Sequence, residues 1–347
     1  MFSLSTDAAL NFKPFGRLLV ADSTQWQIHS ALTRYFRGSG GSGSTAACKL
    51  QTIIEPRSGK LLLLDYGRAT LPDQGYSKKL PRILSPNDLL LFDLGYYSAK
   101  VFQSIQSRKA FFIIPIYHHA VVRKEYNDTP FSVASLLSTL KNPIHDAQLL
   151  IGHDQRIKLR LIAAKVSPLK ANSRRKKLRQ DYRRRRAGQP KAKRLQFCDW
   201  NALITNIPSS KLNAAQILGL YQTRWQIEIF FRDVKSLLRL DYCNTSKKER
   251  FLVQLHATLF LAALLFFISS RSNLSFPSKM LHEISFNKFL KRFAEAASPF
   301  SQSILKQTKL SFRNAARLLK KLIRLSIKFH QPSRQTPLQI LKSCGLC

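Results

Sequence analysis

A chain of 347 residues has material for one large or two smaller domains with an ample core, and 44% hydrophobic with 10% aromatic residues exclude a disordered protein. Lys and Arg number 57 against 19 Asp and Glu, a net charge of +38. Self-repulsion of that size opposes a compact monomer and points to a polyanionic partner, with nucleic acid first and a ribosomal-type or membrane-surface role second.

The first predicted element is RLLVADSTQW (17–26), an apolar strand ending at Asp22 and followed by turn residues. RGSGGSGSTA (37–46) is a flexible Gly/Ser loop. ACKLQTIIE and GKLLLLDYG form two strands joined by Pro56, Arg57 and Ser58, hence a hairpin. DLLLFDLGYYS (88–98) is a further apolar strand, ending in Asp93, and a helical stretch (99–108) leads to the strand AFFIIPI (110–116). Four strands, a helix and a strand describe an α/β core that opens with an antiparallel meander.

From about 118 to 210 the character changes. The strand RIKLRLIAAKV runs into KANSRRKKLRQDYRRRRAGQPKAKR (170–194), which is crowded with Lys and Arg and holds one acid, Asp181, before the strand CDWNALITNI. This is a β-rich insertion around a basic excursion. Such a run is either a solvated face or a phosphate-contact surface. The apolar run LVQLHATLFLAALLFFI (252–268) is interrupted by Gln254, His256 and Thr258, falls short of a membrane span, and is expected to be a buried core helix. Beyond 275 the chain is basic and helical. Leu318, Leu322 and Leu325 recur at helical spacing with Lys320, Lys321 and Arg324 between them, which suits packing, dimerisation or DNA contact alike.

The cysteines (Cys48, Cys198, Cys243, Cys344 and Cys347) are odd in number and scattered, which points to reduced thiols in a cytoplasmic protein. Cys344 and Cys347 lack a second pair or His cluster and are not read as a zinc site.

Residues 221–235, YQTRWQIEIFFRDVK, mix bulky apolar side chains with Tyr221, Arg224, Glu228, Arg232 and Lys235. Placed on one helix at about 100° per residue from Tyr221, the other four polar residues fall between about 300° and 20°, opposite an apolar arc. Trp225 sits beside the polar stripe. Arg224 and Glu228 alone are an i,i+4 ion pair. With Asp22 and Asp93 at strand ends, however, three carboxylates can bind two divalent cations, Mg²⁺ or Mn²⁺, for phosphodiester chemistry.

The spacing of Tyr221, Arg224, Glu228 and Lys235 resembles the Y-(2)-R-(3)-E-(6)-K signature of the DDE transposases of bacterial insertion sequences, the insertion-sequence-4 type. LLVADSTQW resembles that family's first-acid motif, LLLFDLGYYSAKVF its second, and WNALITNIP the strand before the signature helix. The resemblance covers about residues 17 to 270.

It implies an RNase H-like mixed-sheet core in two parts (1–117 and 211–275), a β-rich basic insertion (118–210) and a basic helical C-terminal region (276–347). It implies Asp22, Asp93 and Glu228 as catalytic metal ligands, with strands one and four side by side, and it leaves Asp65 on the third strand, away from the metals. Asp199, Asp233 and Asp241 are read as structural. DNA contacts fall to Tyr221, Arg224, Lys235, Trp225 and Arg232, with Arg174, Arg175, Lys176 and Lys177 in the insertion. The expected activity is cut-and-paste transposition on double-stranded DNA, at transposon ends and target, by a homodimer in the bacterial cytoplasm at the nucleoid, away from membranes.

Two departures are expected to matter. Asp22 comes almost at once, where relatives carry an N-terminal helical domain, so a truncated chain or one product of a split reading frame is expected. Pro115 stands where such strands often end in Arg. The rivals are a catalytically inactive DNA-binding remnant and, less favoured because of the Tyr/Arg/Lys stripe, a host RNase H-like nuclease.

Overall fold

The computed structural model describes residues 14–40, 45–274, 284–305, 309–327 and 336–344. In chain order it begins with strands β1 (Leu18–Gln27), β2 (Ala47–Glu55) and β3 (Lys60–Arg68), then short helices α1 (Asp73–Ser77) and α2 (Leu80–Ile83). Strand β4 (Leu89–Phe92), helix α3 (Ala99–Ser107) and strand β5 (Phe111–Pro115) follow. Next come β6 (Val121–Arg123), β7 (Phe131–Ser132), α4 (Val133–Thr139), β8 (Ile144–Ile151) and β9 (Ile157–Lys165). Helices α5 (Pro168–Arg184) and α6 (Ala192–Phe197) precede β10 (Trp200–Thr205). The remainder is helical: α7 (Ala214–Gln222), α8 (Trp225–Leu238), α9 (Lys248–Leu274), α10 (Phe286–Leu305), α11 (Lys309–Leu325) and α12 (Pro337–Ser343).

The chain forms two compact units. The first takes residues 18–72 and the chain from Thr223 onward. In it β1, β2 and β3 form the expected antiparallel meander, with Asp22 opposite Thr52 and Gln51 opposite Asp65. The β2–β3 turn lies close on α9: Gly59 has φ 71°, and a Cβ there would stand 2.6 Å from the Ser270 Cβ. The helical part packs Phe230 against Phe266 (5.0 Å) and Phe286 (5.8 Å). Leu265, Phe289, Leu290 and Leu322 continue that core.

The second unit takes residues 14–17 and 73–222 of the described chain. Strands β4 and β5 are parallel, as the intervening helix α3 requires, and β5, β10, β9 and β8 continue antiparallel, with β8 pairing β6 and β6 pairing β7. Its core stacks Phe102 on Phe112 at 4.9 Å beneath Phe92. Arg160, almost buried, is bidentate to Asp146 (2.6 and 2.5 Å) and reaches the Leu212 carbonyl at 2.7 Å.

The α/β class is as expected. The meander β1–β3 and the parallel pair β4–β5 around α3 supply the pieces of an RNase H-like core, and β6–β9 with α5 lie within residues 118–210. Three local expectations are corrected. Strand β1 does not end at Asp22 but runs five residues on, because STQWQ pairs with β2 through its backbone and buries Trp26. The basic excursion is a helix, α5, capped by the Ser167 side chain accepting from the Lys170 N–H and started by Pro168. Helix α9 is only partly buried: Val253 and Phe260 are 70% and 72% exposed, and by length and composition alone it could cross a membrane.

Candidate functional site

The signature segment is two helices, not one. Helix α7 stops at Gln222, Thr223 and Arg224 form a turn, and α8 starts at Trp225 with Arg224 as its N-cap. Thr223 is also where the chain passes from the second unit to the first. Tyr221 therefore belongs with Asp93, and Arg224, Glu228 and Lys235 with Asp22.

In the first unit, α8 buries Ile227, Phe230, Phe231 and Val234 and turns the other face toward β1. The Arg224 guanidinium donates to Asp22 Oδ2 at 2.7 Å from Nη1 and to Glu228 Oε1 from Nη2. Arg224 and Asp22 are 202 positions apart in the chain. Their side chains are 14% and 15% exposed and that of Glu228 is 32%, so three charges sit in a half-dry setting where they attract strongly. Two turns beyond Glu228 on the same face, Lys235 Nζ donates to the Gln25 carbonyl at 2.7 Å. Burial pushes the Lys235 ammonium below its ordinary pKa, with Asp241 pulling the other way.

In the second unit, Asp93 directly follows β4 as expected and precedes a short 3₁₀ turn, Leu94–Tyr96. The Tyr221 hydroxyl donates to the carbonyl of Phe92, the residue before it, at 3.2 Å. Around Asp93 lies a set of rings that the sequence reading passed over. Tyr97 meets Tyr117 edge-on at 5.2 Å, and Tyr117 lies tilted against His119, also at 5.2 Å. Burial first, then the charge of Asp93, raises the Tyr117 phenol. The run IYHHA after β5 was the available signal.

The remaining named residues separate into tied and exposed. Arg174 donates to the Trp200 carbonyl at 2.8 Å, and Arg175 is ion-paired with Asp199, so both serve the second unit's own fold. Lys176 and Lys177 are exposed on α5. Trp225 is 50% exposed. Arg232 reaches the fully buried Asp233 at 3.1 Å, and Asn287 donates to the same oxygen at 2.9 Å, which makes Asp233 structural. Among the described residues no three His, Cys, Asp or Glu side chains gather as a metal-binding group. Cys48, Cys198 and Cys243 are free thiols, and Cys347 lies outside the described residues.

Residues 13–265 match the family model of the transposase DDE domain, and the chain belongs to that family. It is 26% identical to the transposase for insertion sequence element IS231F of Bacillus thuringiensis subsp. israelensis, over 71% of this chain and 55% of that protein. It is also 26% identical to the IS231C transposase of Bacillus thuringiensis subsp. berliner, over 98% of this chain and 74% of that one. The chain thus spans only about half the length of the first of these relatives. Among solved structures it is similar to a chain of the piggyBac transposase synaptic complex with hairpin DNA, with TM-score 0.43 and 14% identity over 93% of this chain and 61% of that chain.

Proposed function

We propose that this chain is the catalytic region of a DNA transposase, cutting phosphodiesters at the ends of its element and joining the freed 3′ hydroxyl to target DNA, in cut-and-paste fashion. The observation that carries this reading is the convergence of Asp22 and Glu228, far apart in the chain, on the single guanidinium of Arg224. Two carboxylates that share one cationic partner, in a chain of the DDE family, are the donor set for a hard divalent cation.

Asp22 and Glu228, with Asp93 as the third acid, would hold Mg²⁺ or Mn²⁺. Two such ions, when bound, supply an activated nucleophilic oxygen and neutralise the leaving oxygen. The protein's own groups do the rest. Arg224 balances the two carboxylates in the metal-free fold and passes to a DNA phosphate when the acids take up a cation. Lys235 and Tyr221 flank the acids in their respective units and grip the terminal phosphates, with Arg232 and Trp225 at the exposed edge of α8. With Arg174 and Arg175 engaged by Trp200 and Asp199, the phosphate contacts of α5 fall to Lys176 and Lys177.

The test is Mg²⁺-dependent nicking of a duplex carrying the inverted repeat that borders the gene. Glu228→Gln is expected to lower it at least about a thousandfold, the loss of several kcal/mol of transition-state stabilisation. Undiminished nicking by that variant sinks the assignment. One observation favours a second reading, a non-catalytic DNA-binding remnant: Asp22 and Glu228 are both already ion-paired with Arg224. Salt-sensitive binding of the repeat with no Mg²⁺-dependent cut by the parent chain is its signature.

A further inference from the structure

The basic helix α11 was compatible from its sequence with packing, dimerisation or DNA contact, and the fold separates its two faces. At about 100° per residue from Arg313, the apolar side chains Ala315, Leu318, Leu319, Leu322 and Ile323 occupy about 140° to 280°. Ala315 and Leu322 are buried, and Leu318, Leu319 and Ile323 pack on the cluster built by Phe289, Leu290 and Leu265. Packing is therefore the task of that face. On the same projection Arg313, Arg317, Lys320, Lys321 and Arg324 fall within a single arc of about 100° on the opposite side. All five are exposed, and no acid occurs anywhere in the helix. The last four, with Leu325, line a shallow groove of about 370 Å³.

The neighbouring helix α10 shows what a merely solvated basic helix looks like in this protein, because there Arg292 is balanced by Glu295 at 3.1 Å. A row of like charges at i, i+4, i+8 and i+11 destabilises its own helix, and it is retained at that cost across three turns. We propose that this face of α11 is a second DNA-contact surface, which lies along the phosphate backbone of a duplex independently of the α5 helix. It rests on the transposase reading above. From Arg313 to Arg324 the helix rises about 16 Å, a span over which one DNA strand presents about five phosphates at 3.4 Å each. An exposed arc of point charges and guanidinium forks, with Asn314 the one amide at its edge, fits backbone contact, so the binding is expected to be sequence-independent.

The experiment measures duplex binding by fluorescence anisotropy across a salt series, with the full chain and two duplexes of unrelated sequence. Replacing Arg313, Arg317, Lys321 and Arg324 together by Gln is expected to make the slope of log K against log salt shallower by about two to three and a half, at about 0.9 per lost phosphate contact, equally for both duplexes. Should the fourfold variant melt early, Arg317→Gln and Lys321→Gln taken singly carry the same test, each expected to remove about 0.9 from the slope. A parent-like slope in these variants, while Lys176→Gln with Lys177→Gln lowers it, overturns the proposal and leaves the transposase reading standing. A parent chain that binds neither duplex overturns both. Lost binding to anionic phosphatidylserine vesicles with an unchanged DNA slope assigns the face to a lipid surface and also overturns the proposal.

Discussion

Arg224 is the residue on which the first unit's acids depend. It faces two carboxylates, one of them 15% exposed, and its removal sets those carboxylates against each other in a poorly solvated place. Arg224→Ala is therefore expected to destabilise the metal-free protein by about 1 to 3 kcal/mol in urea titration, less than for a fully buried pair because water reaches Glu228. Mn²⁺ should then stabilise this variant more than the parent, since the ion no longer competes with the guanidinium. Equal stabilisation of the two would contradict the assignment of Asp22 and Glu228 as cation ligands. At this scale the sequence was informative about type and less so about place. Helical projection aligned Arg224, Glu228 and Lys235, and in the structure Arg224 bonds Asp22 of β1 and Glu228, while Lys235 bonds the Gln25 carbonyl of β1. That Arg224 bonds Asp22 was not legible, because the pairing of β1 with β2 decides where along the strand Asp22 stands, and the apolar run stops before the strand does.

Among the elements, the break between α7 and α8 was invisible because neither Gly nor Pro marks it. Thr223, 99% buried, turns inward where a continuous helix would have carried on. Helix α5 had readable start signals in Ser167 and Pro168, masked by a charge density that suggested an irregular excursion. Helix α9 misled in the other direction: its apolar content exceeds what the core takes up, and Val253, Phe260 and Leu264 are left outside. The segment after β5 carries a pH-dependent contribution. Burial, then the charge of Arg194, lowers His118 from 6.5 to about 4, so the fold favours the neutral ring. The unfolded chain binds the extra proton first, and stability from this group is complete above 6.5 and lost as pH falls toward 4. His118→Asn should accordingly flatten the stability profile in that window, measured by chemical unfolding at a series of pH values. A profile as steep as the parent's would place the proton uptake elsewhere.

For the molecule as a whole, a net charge of +38 works against compaction at every surface, and it does so most at low ionic strength. Added salt screens that repulsion beyond a Debye length, about 8 Å at physiological strength. The thermal midpoint should rise with sodium chloride, and further with a short duplex that binds only the folded chain. A midpoint that falls with salt would mean that ion pairs such as Arg17–Asp88 and Arg160–Asp146 outweigh the repulsion. The same excess of charge was the plainest message in the sequence, and it pointed to a polyanionic partner before any fold was known.

The way α5 is attached has its own consequence. Lys165 at the end of β9 is paired with Trp200 at the start of β10, so residues 166–199 leave the sheet and return to it at adjacent positions. The sheet is closed behind them whatever they do. Doubling the length of such a loop costs only about 0.6 kcal/mol in closure entropy. The arm can therefore be lengthened or shortened at little entropic cost without disturbing a strand register.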